Sequence, residues 1–126
     1  MKTLGFHHLA VQVRDVQRVT DFYVQVLGLS EVRRFVRDDG SLRSVWVSAG
    51  EGFLAIEAAP DFTAAGTLGF SMVALRIDPQ QRRSIVDELA RAGVAIEKQT
   101  GWTLYVKDPE GNLVGLSHHP HDAPAV

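Results

Sequence analysis

The chain runs through one pattern twice: an alternating apolar segment, an aspartate, a helical apolar stripe, and a glycine. In the first copy His8-Leu9-Ala10-Val11-Gln12-Val13 leads to Asp15, and Val16, Val19, Tyr23, Val26 and Leu27 follow at helical spacing up to Gly28. In the second, Met72-Val73-Ala74-Leu75-Arg76-Ile77 leads to Asp78-Pro79, and Ile85, Val86, Leu89 and Ala92 precede Gly93. Period-two alternation marks a strand with one face on a core, the aspartate accepts from the free amides of a helix start, and glycine takes the left-handed conformation that ends the helix. Two strand-helix units of this kind constrain the chain to a doubled fold. They differ where chemistry is possible, with His8 in the first copy and Met72 at the same place in the second.

The rest of each unit reads as strands. The first strand spans about Gly5 to Val13; Glu31 to Arg37 and Leu42 to Ser48 flank the turn signal Asp38-Asp39-Gly40, and Gly50-Glu51-Gly52 leads into Phe53 to Ala58. In the second unit Phe70 to Ile77, Val94 to Lys98, Trp102 to Lys107 and Asn112 to His118 are the strands, the last two joined by Asp108-Pro109-Glu110-Gly111-Asn112. One domain over 1–126 is expected: module one at about 5–58, a linker at 59–68, module two at about 69–119 and a tail at 120–126. The class is α+β, two βαβββ modules in pseudo-twofold arrangement forming a cupped mixed sheet with helices outside.

Composition narrows the partners. Thirteen basic and fifteen acidic residues give a net charge of -2, no footprint for nucleic acid or an anionic membrane. The absence of cysteine removes disulfides, thiolate metal sites and cysteine nucleophiles. No signal peptide or membrane-spanning run is read, so the expected location is cytoplasmic and the expected partners are a small organic molecule and a second copy of the chain.

In each module the Leu/Val/Ile parity must face the helix, where apolar burial is available. The opposite parity then places His8, Ala10, Gln12, Trp46, Phe53, Glu57, Met72, Ala74, Arg76 and Tyr105 on the concave side. Aromatic rings with a few polar groups are the usual lining of a small-ligand pocket, and a second core or an oligomer interface would produce the same pattern. His7 has the parity of the helix side and reads as a core histidine, while His118, His119 and His121 form a metal-like cluster, with His119 able to curl over the pocket mouth, that ranks second to its reading as a solvated, histidine-rich tail. Arg33 and Arg37 belong to an exposed hairpin face, from which an inward Arg33 could bind an anionic ligand. Arg76 needs a counter-charge, from Glu57 or a ligand, unless it reaches solvent at the rim.

The ordered set of His8-Leu9-Ala10-Val11-Gln12-Val13-Arg14-Asp15, Asp21-Phe22-Tyr23, Val26-Leu27-Gly28-Leu29, Leu54-Ala55-Ile56-Glu57 and Asp108-Pro109-Glu110-Gly111-Asn112 resembles the vicinal oxygen chelate superfamily. That group includes glyoxalase I, bleomycin-resistance proteins, fosfomycin-resistance enzymes and extradiol dioxygenases. The resemblance runs from Gly5 to His118 and implies the doubled fold, but one fold hosts many chemistries. It further implies up to four metal-ligand positions, on the first and last strand of each module, which fall on His8, Glu57, Met72 and Gly115. His8 and Glu57 are sound donors for a divalent ion, a thioether is a poor one, and glycine has no side chain.

Three functions follow as expectations. One is a small-molecule-binding protein of the bleomycin-resistance type, without a complete metal site, using His8, Gln12, Trp46, Phe53, Glu57, Met72, Arg76 and Tyr105. Another is a metal-dependent lyase, isomerase or dioxygenase in which His8 and Glu57 are the catalytic candidates, hold one weakly bound divalent ion, and substrate oxygens complete the shell. An interaction-only module is the third.

Overall fold

Asp15 and Asp78 start their helices as their positions require. Asp15 lies in extended backbone and its side chain accepts from the Arg18 amide at 3.0 Å, while Asp78 accepts from the Gln80 amide at 2.9 Å. In the computed structural model, which describes residues 6–59 and 72–119, the chain divides into two units, Met1–Ala65 and Gly66–Val126. Each is a four-stranded mixed sheet with one helix, so the chain is α+β with two similar βαβββ modules. The expected linker beyond Ala59 and the tail from residue 120, with His121, lie outside the described residues.

The first unit contains β1 (His8–Val13), α1 (Val16–Asp21), β2 (Ser30–Val36), β3 (Leu42–Ala49) and β4 (Gly52–Ala58), in sheet order β1-β4-β3-β2. β1 runs parallel to β4, and the other pairs are antiparallel. Val13, Val45, Val47, Leu54 and Ile56 are buried, as are Val16, Val19, Phe22 and Tyr23, and α1 packs on β3 and β4. The expected alternation therefore holds on the helix side. One detail was not readable in the spacing: α1 continues through a wider π turn, Phe22–Val26, in which the Leu27 amide donates to the Phe22 carbonyl. The extra residue per turn lets both Phe22 and Tyr23 face the core. Gly28, at φ 76°, then ends the helix.

The second unit contains β5 (Val73–Arg76), α2 (Arg82–Arg91) entered through a 3-10 turn at Pro79–Gln81, β6 (Lys98–Gln99), β7 (Thr103–Lys107) and β8 (Leu113–Ser117). Its order, β5-β8-β7-β6, repeats that of the first, again with a parallel first pair. Leu89, Leu104, Val106, Val114 and Leu116 form its core. The strand expected at Val94 to Lys98 shrinks to two residues. The Val94 amide donates back to the Leu89 carbonyl at the helix exit, so the chain joins the sheet later. Ala92, expected on the buried face, is exposed because it is already the cap residue of α2.

The turns behave as turn chemistry. Both oxygens of the buried Asp108 are occupied within its own loop, Oδ1 by the amides of Glu110 and Asn112 and Oδ2 by the Asn112 side chain. That use leaves the segment a hairpin turn and not a calcium loop. At the β2–β3 turn, Asp39 accepts from the Ser41 hydroxyl at 2.6 Å and from its amide at 2.9 Å, and these bonds hold its carboxyl below the usual aspartate range.

Two predictions follow from this packing. Thr20 is buried at 2% exposure and among the described residues its hydroxyl has no hydrogen-bond partner, so Thr20→Val is expected to raise stability by about 1 kcal/mol in urea unfolding; a loss would show that the hydroxyl is satisfied in solution. For Asp39, a depressed folded pKa contributes stability that is present above the unfolded value and lost as pH falls through the folded one. In an NMR titration its midpoint should lie below that of the unfolded chain and move up in Ser41→Ala; an unmoved midpoint would remove the hydroxyl as the cause.

Candidate functional site

The face of the first sheet turned away from α1 is set by the register. His8 stands opposite Phe53, Ala10 opposite Ala55 and Gln12 opposite Glu57 across β1 and β4. Across β4 and β3 the partners are Phe53 with Ser48, Ala55 with Trp46, and Glu57 with Ser44; across β3 and β2 they are Trp46 with Arg33 and Ser44 with Phe35. Paired residues share a face, so all of these side chains project from one surface.

Four rings cross that surface, one from each strand in sheet order. His8 stacks on Phe53 with centroids 4.8 Å apart and planes 6° from parallel. Phe53 stacks on Trp46 at 4.4 Å, and Trp46 meets Phe35 at 5.0 Å in a tilted contact. The diagonal steps from Phe53 to Trp46 and from Trp46 to Phe35 are the two-residue offset that aromatic side chains bridge on a sheet. Small residues, Ala10, Ala55, Ser44 and Ser48, flank the row. His8 is exposed, and Phe53, Trp46 and Phe35 are half-buried.

Two arginines close the β2 end of the row. The Arg33 guanidinium lies 4.9 Å from the Phe35 centroid and 5.9 Å from that of Trp46, and Arg43 lies 5.0 Å from Phe35. Arg43 has the wrong parity for this face in a regular strand. The register steps from Phe35–Ser44 to Val36–Leu42, which makes Arg43 the extra residue of a bulge and turns it toward the ring. Phe35 and Arg43 were not among the expected site residues. The alternation of Arg33 and Phe35 was a usable signal for the first, whereas a bulge leaves no mark in residue type.

His7 departs from expectation. It precedes the strand, is exposed, and is not a core histidine: its Nδ1 lies 2.9 Å from Nδ1 of His8, and its ring meets Phe53 edge-on at 5.5 Å. Gly52 explains the close approach, since a Cβ there would sit 3.0 Å from the His7 carbonyl oxygen. His118 departs too. It is 2% exposed, its amide donates to the Trp102 carbonyl, and an Arg82 Nη lies 3.2 Å from its Nε2, so it belongs to the structure of the second unit and not to a solvated tail. His119 is exposed with its ring against Trp102.

In the second unit, Ala74 stands opposite Gly115, Arg76 opposite Ser117, and Gly115 opposite Tyr105. Tyr105 is half-buried with the Lys98 ammonium 5.8 Å from its ring, while Arg76 and Met72 are exposed. A Cβ on Gly115 would meet the Met72 sulfur at 3.7 Å and Thr103 Cγ2 at 3.4 Å.

These two registers also correct the pairing of His8 with Glu57. Met72 and His8 each stand two residues before an alanine; that alanine faces Gly115 in the second unit and Ala55 in the first. The counterpart of Gly115 is thus Ala55. Glu57 lies opposite Gln12, four residues along the sheet from His8, or about 13 Å at the rise of a strand. With its ring flat on Phe53, His8 is not directed to the Glu57 carboxylate.

The sequence matches the family model of the Glyoxalase/Bleomycin resistance protein/Dioxygenase superfamily over residues 5–116, and the chain belongs to that superfamily. Its fold is that of the fosfomycin resistance protein FosX from Mesorhizobium loti, at 18% identity and a TM-score of 0.74 with 95% of each chain covered. It is equally that of lactoylglutathione lyase from Agrobacterium tumefaciens, at 18% identity and a TM-score of 0.74 with 94% of this chain and 96% of that one covered. FosX from Listeria monocytogenes, solved in complex with Mn(II) and sulfate ion, shares 15% identity at a TM-score of 0.75 over 95% and 96% of the two chains. No curated protein matches the sequence. No helix among the described residues is long and apolar enough to cross a membrane.

Against the metal that the resemblance implies, the donor set does not fit. Of the four positions only His8 offers nitrogen; Met72 offers a thioether, and Ala55 and Gly115 offer nothing. Among the described residues no three histidine, aspartate or glutamate side chains group as they would around an ion. The expected outcome is that 1 mM Mn2+ leaves the thermal midpoint unchanged, because an ion at a thousand-fold excess over its dissociation constant would add about 4.1 kcal/mol of stability. A clear upward shift that vanishes in His8→Ala would restore a metal site.

Proposed function

We propose that the protein binds a small organic molecule on the aromatic face of its first unit, without a resident metal at the positions used by metal enzymes of the resemblance. The observation that carries this reading is the row His8–Phe53–Trp46–Phe35, drawn from four strands and left accessible. A stack of this kind would be built inward if its purpose were core stability, as are the valines, leucines and isoleucine on the other side of the same sheet. Gln12 and Glu57 supply a donor and an acceptor beside the Ala10–Ala55 floor, which is how a mostly apolar seat gains orientation. In the second unit Arg76 and Tyr105 share one face of the sheet with Gly115, beside which the Met72 sulfur lies, and these three side chains are proposed as ligand contacts of that unit's own sheet. The same reading takes the protein as a cytoplasmic homodimer.

The metal-assisted alternative loses its carboxylate with Glu57 and is not adopted. The test uses Trp46 as reporter in a Trp102→Phe background, with a panel of flat aromatic compounds. Binding should quench Trp46, and Phe53→Ala, which removes the central ring, should weaken it about tenfold, the equivalent of one aromatic contact of about 1.4 kcal/mol. Ligands that raise the thermal midpoint yet neither quench Trp46 nor respond to Phe53→Ala would place binding elsewhere. A panel without effect, together with a concentration-dependent dimer that occludes Trp46, would favour an interaction module.

A further inference from the structure

We infer that the ligand class of this face is a planar aromatic anion, its carboxylate or comparable group taken by Arg33 and Arg43; the inference rests on the proposed function above. The two guanidiniums lie 4.9 Å and 5.0 Å from the centroid of one ring, Phe35, and among the described residues neither makes a hydrogen bond or an ion pair. Two of the carboxylates near them in sequence are engaged elsewhere, and the third, Asp38, forms no ion pair with either guanidinium among the described residues. Glu31 is bound by Arg34 at 2.6 Å, and Asp39 by Ser41. Arg34 itself points to the other face of the sheet, where it donates to Gln17 of α1.

Two cations beside one ring repel each other, and among the described residues no carboxylate pairs with either of them. Contact with the Phe35 and Trp46 faces holds the guanidinium planes while leaving their N–H edges available, and guanidinium edges match a carboxylate. The site therefore offers a stacking surface that ends in a preplaced anion receptor. Glu57 sets the direction. It lies on the same face but two strands away from Phe35, beyond Ser44, so an anionic group is repelled from the β1–β4 corner and drawn toward β2. Two register shifts in the β2–β3 ladder, one of which turns Arg43 inward, are the structural device that makes the pair.

The probes are 2-naphthoate, 2-naphthamide and 2-naphthylmethylammonium, one ring system with negative, neutral and positive substituents, followed by Trp46 quenching in the Trp102→Phe protein. Naphthoate should bind at least about tenfold more tightly than naphthamide, and this advantage should fall to about twofold in Arg33→Gln/Arg43→Gln, as the loss of a charge-assisted hydrogen bond requires. Raising the salt should weaken naphthoate and spare naphthamide. Naphthamide binding equal to naphthoate, or tighter binding of the ammonium, would overturn the anion assignment and leave the aromatic site standing. No quenching by any of the three would overturn both. Far-UV circular dichroism and a cooperative thermal transition like those of the parent show that the double variant is folded.

Discussion

The parallel pairing of β1 with β4 is the constraint on which the rest of the first unit depends. It sets His8 against Phe53 and Gln12 against Glu57, and through the alternation of the strands it sends Leu54 and Ile56 to the helix and Phe53, Ala55 and Glu57 away from it. A slip of one residue would exchange the two faces, burying a carboxylate and exposing an isoleucine, and so the register is strongly specified. Its start is tied by the Phe53 amide, which donates to the His7 carbonyl at 3.2 Å, an approach that the missing side chain of Gly52 permits. Fold and candidate site are thus two consequences of one alignment.

Most of the architecture was legible because its signals are local. Asp15, Asp78, Gly28 and Gly93 punctuate the helices, and Leu/Val/Ile parity identifies the core face of each strand without knowledge of its neighbours. The site was legible only in part. Trp46, Phe53 and Gln12 stand on the expected face of their own sheet, and so do Tyr105 and Arg76 on theirs. What failed depended on pairing between strands. Glu57 is a good donor in isolation, and only the β5–β8 register, set beside that of β1 and β4, reveals that Ala55 holds the place of Gly115. Arg43 was missed for the same reason, since the bulge that turns it exists only relative to β2.

The second unit carries the same scaffold with another surface. Where the first has Phe53, Trp46 and Arg33, the second has Leu113, Tyr105 and Lys98 at the corresponding register positions, with Gly115 beneath the Met72 sulfur. Tyr105 meets the Lys98 ammonium as Trp46 meets Arg33, but Leu113 gives it no ring to stack on in the place of Phe53. The backbone repeat is therefore preserved while the side chains on the outward faces of the two sheets differ, as expected when core positions and surface positions answer to different constraints.

Loss of donors at Ala55, Met72 and Gly115 has a physical consequence beyond the absence of coordination. A divalent ion would supply the dominant local charge and fix a ligand's oxygens at defined angles, whereas stacking supplies affinity with little angular demand. On a face without that ion, orientation must come from the remaining charges. Glu57 stands beside Gln12 in the same cross-strand row as Ser44 and Phe35, two strands from Arg33 and one from Arg43, while the row of rings runs away from it to His8. On the proposed reading, a flat ligand lying along the row has the guanidiniums at its Phe35 end and Glu57 to one side of that end, so its own charge distribution would decide which way round it binds. Charges around the row would then do for orientation what bonds to a metal do elsewhere.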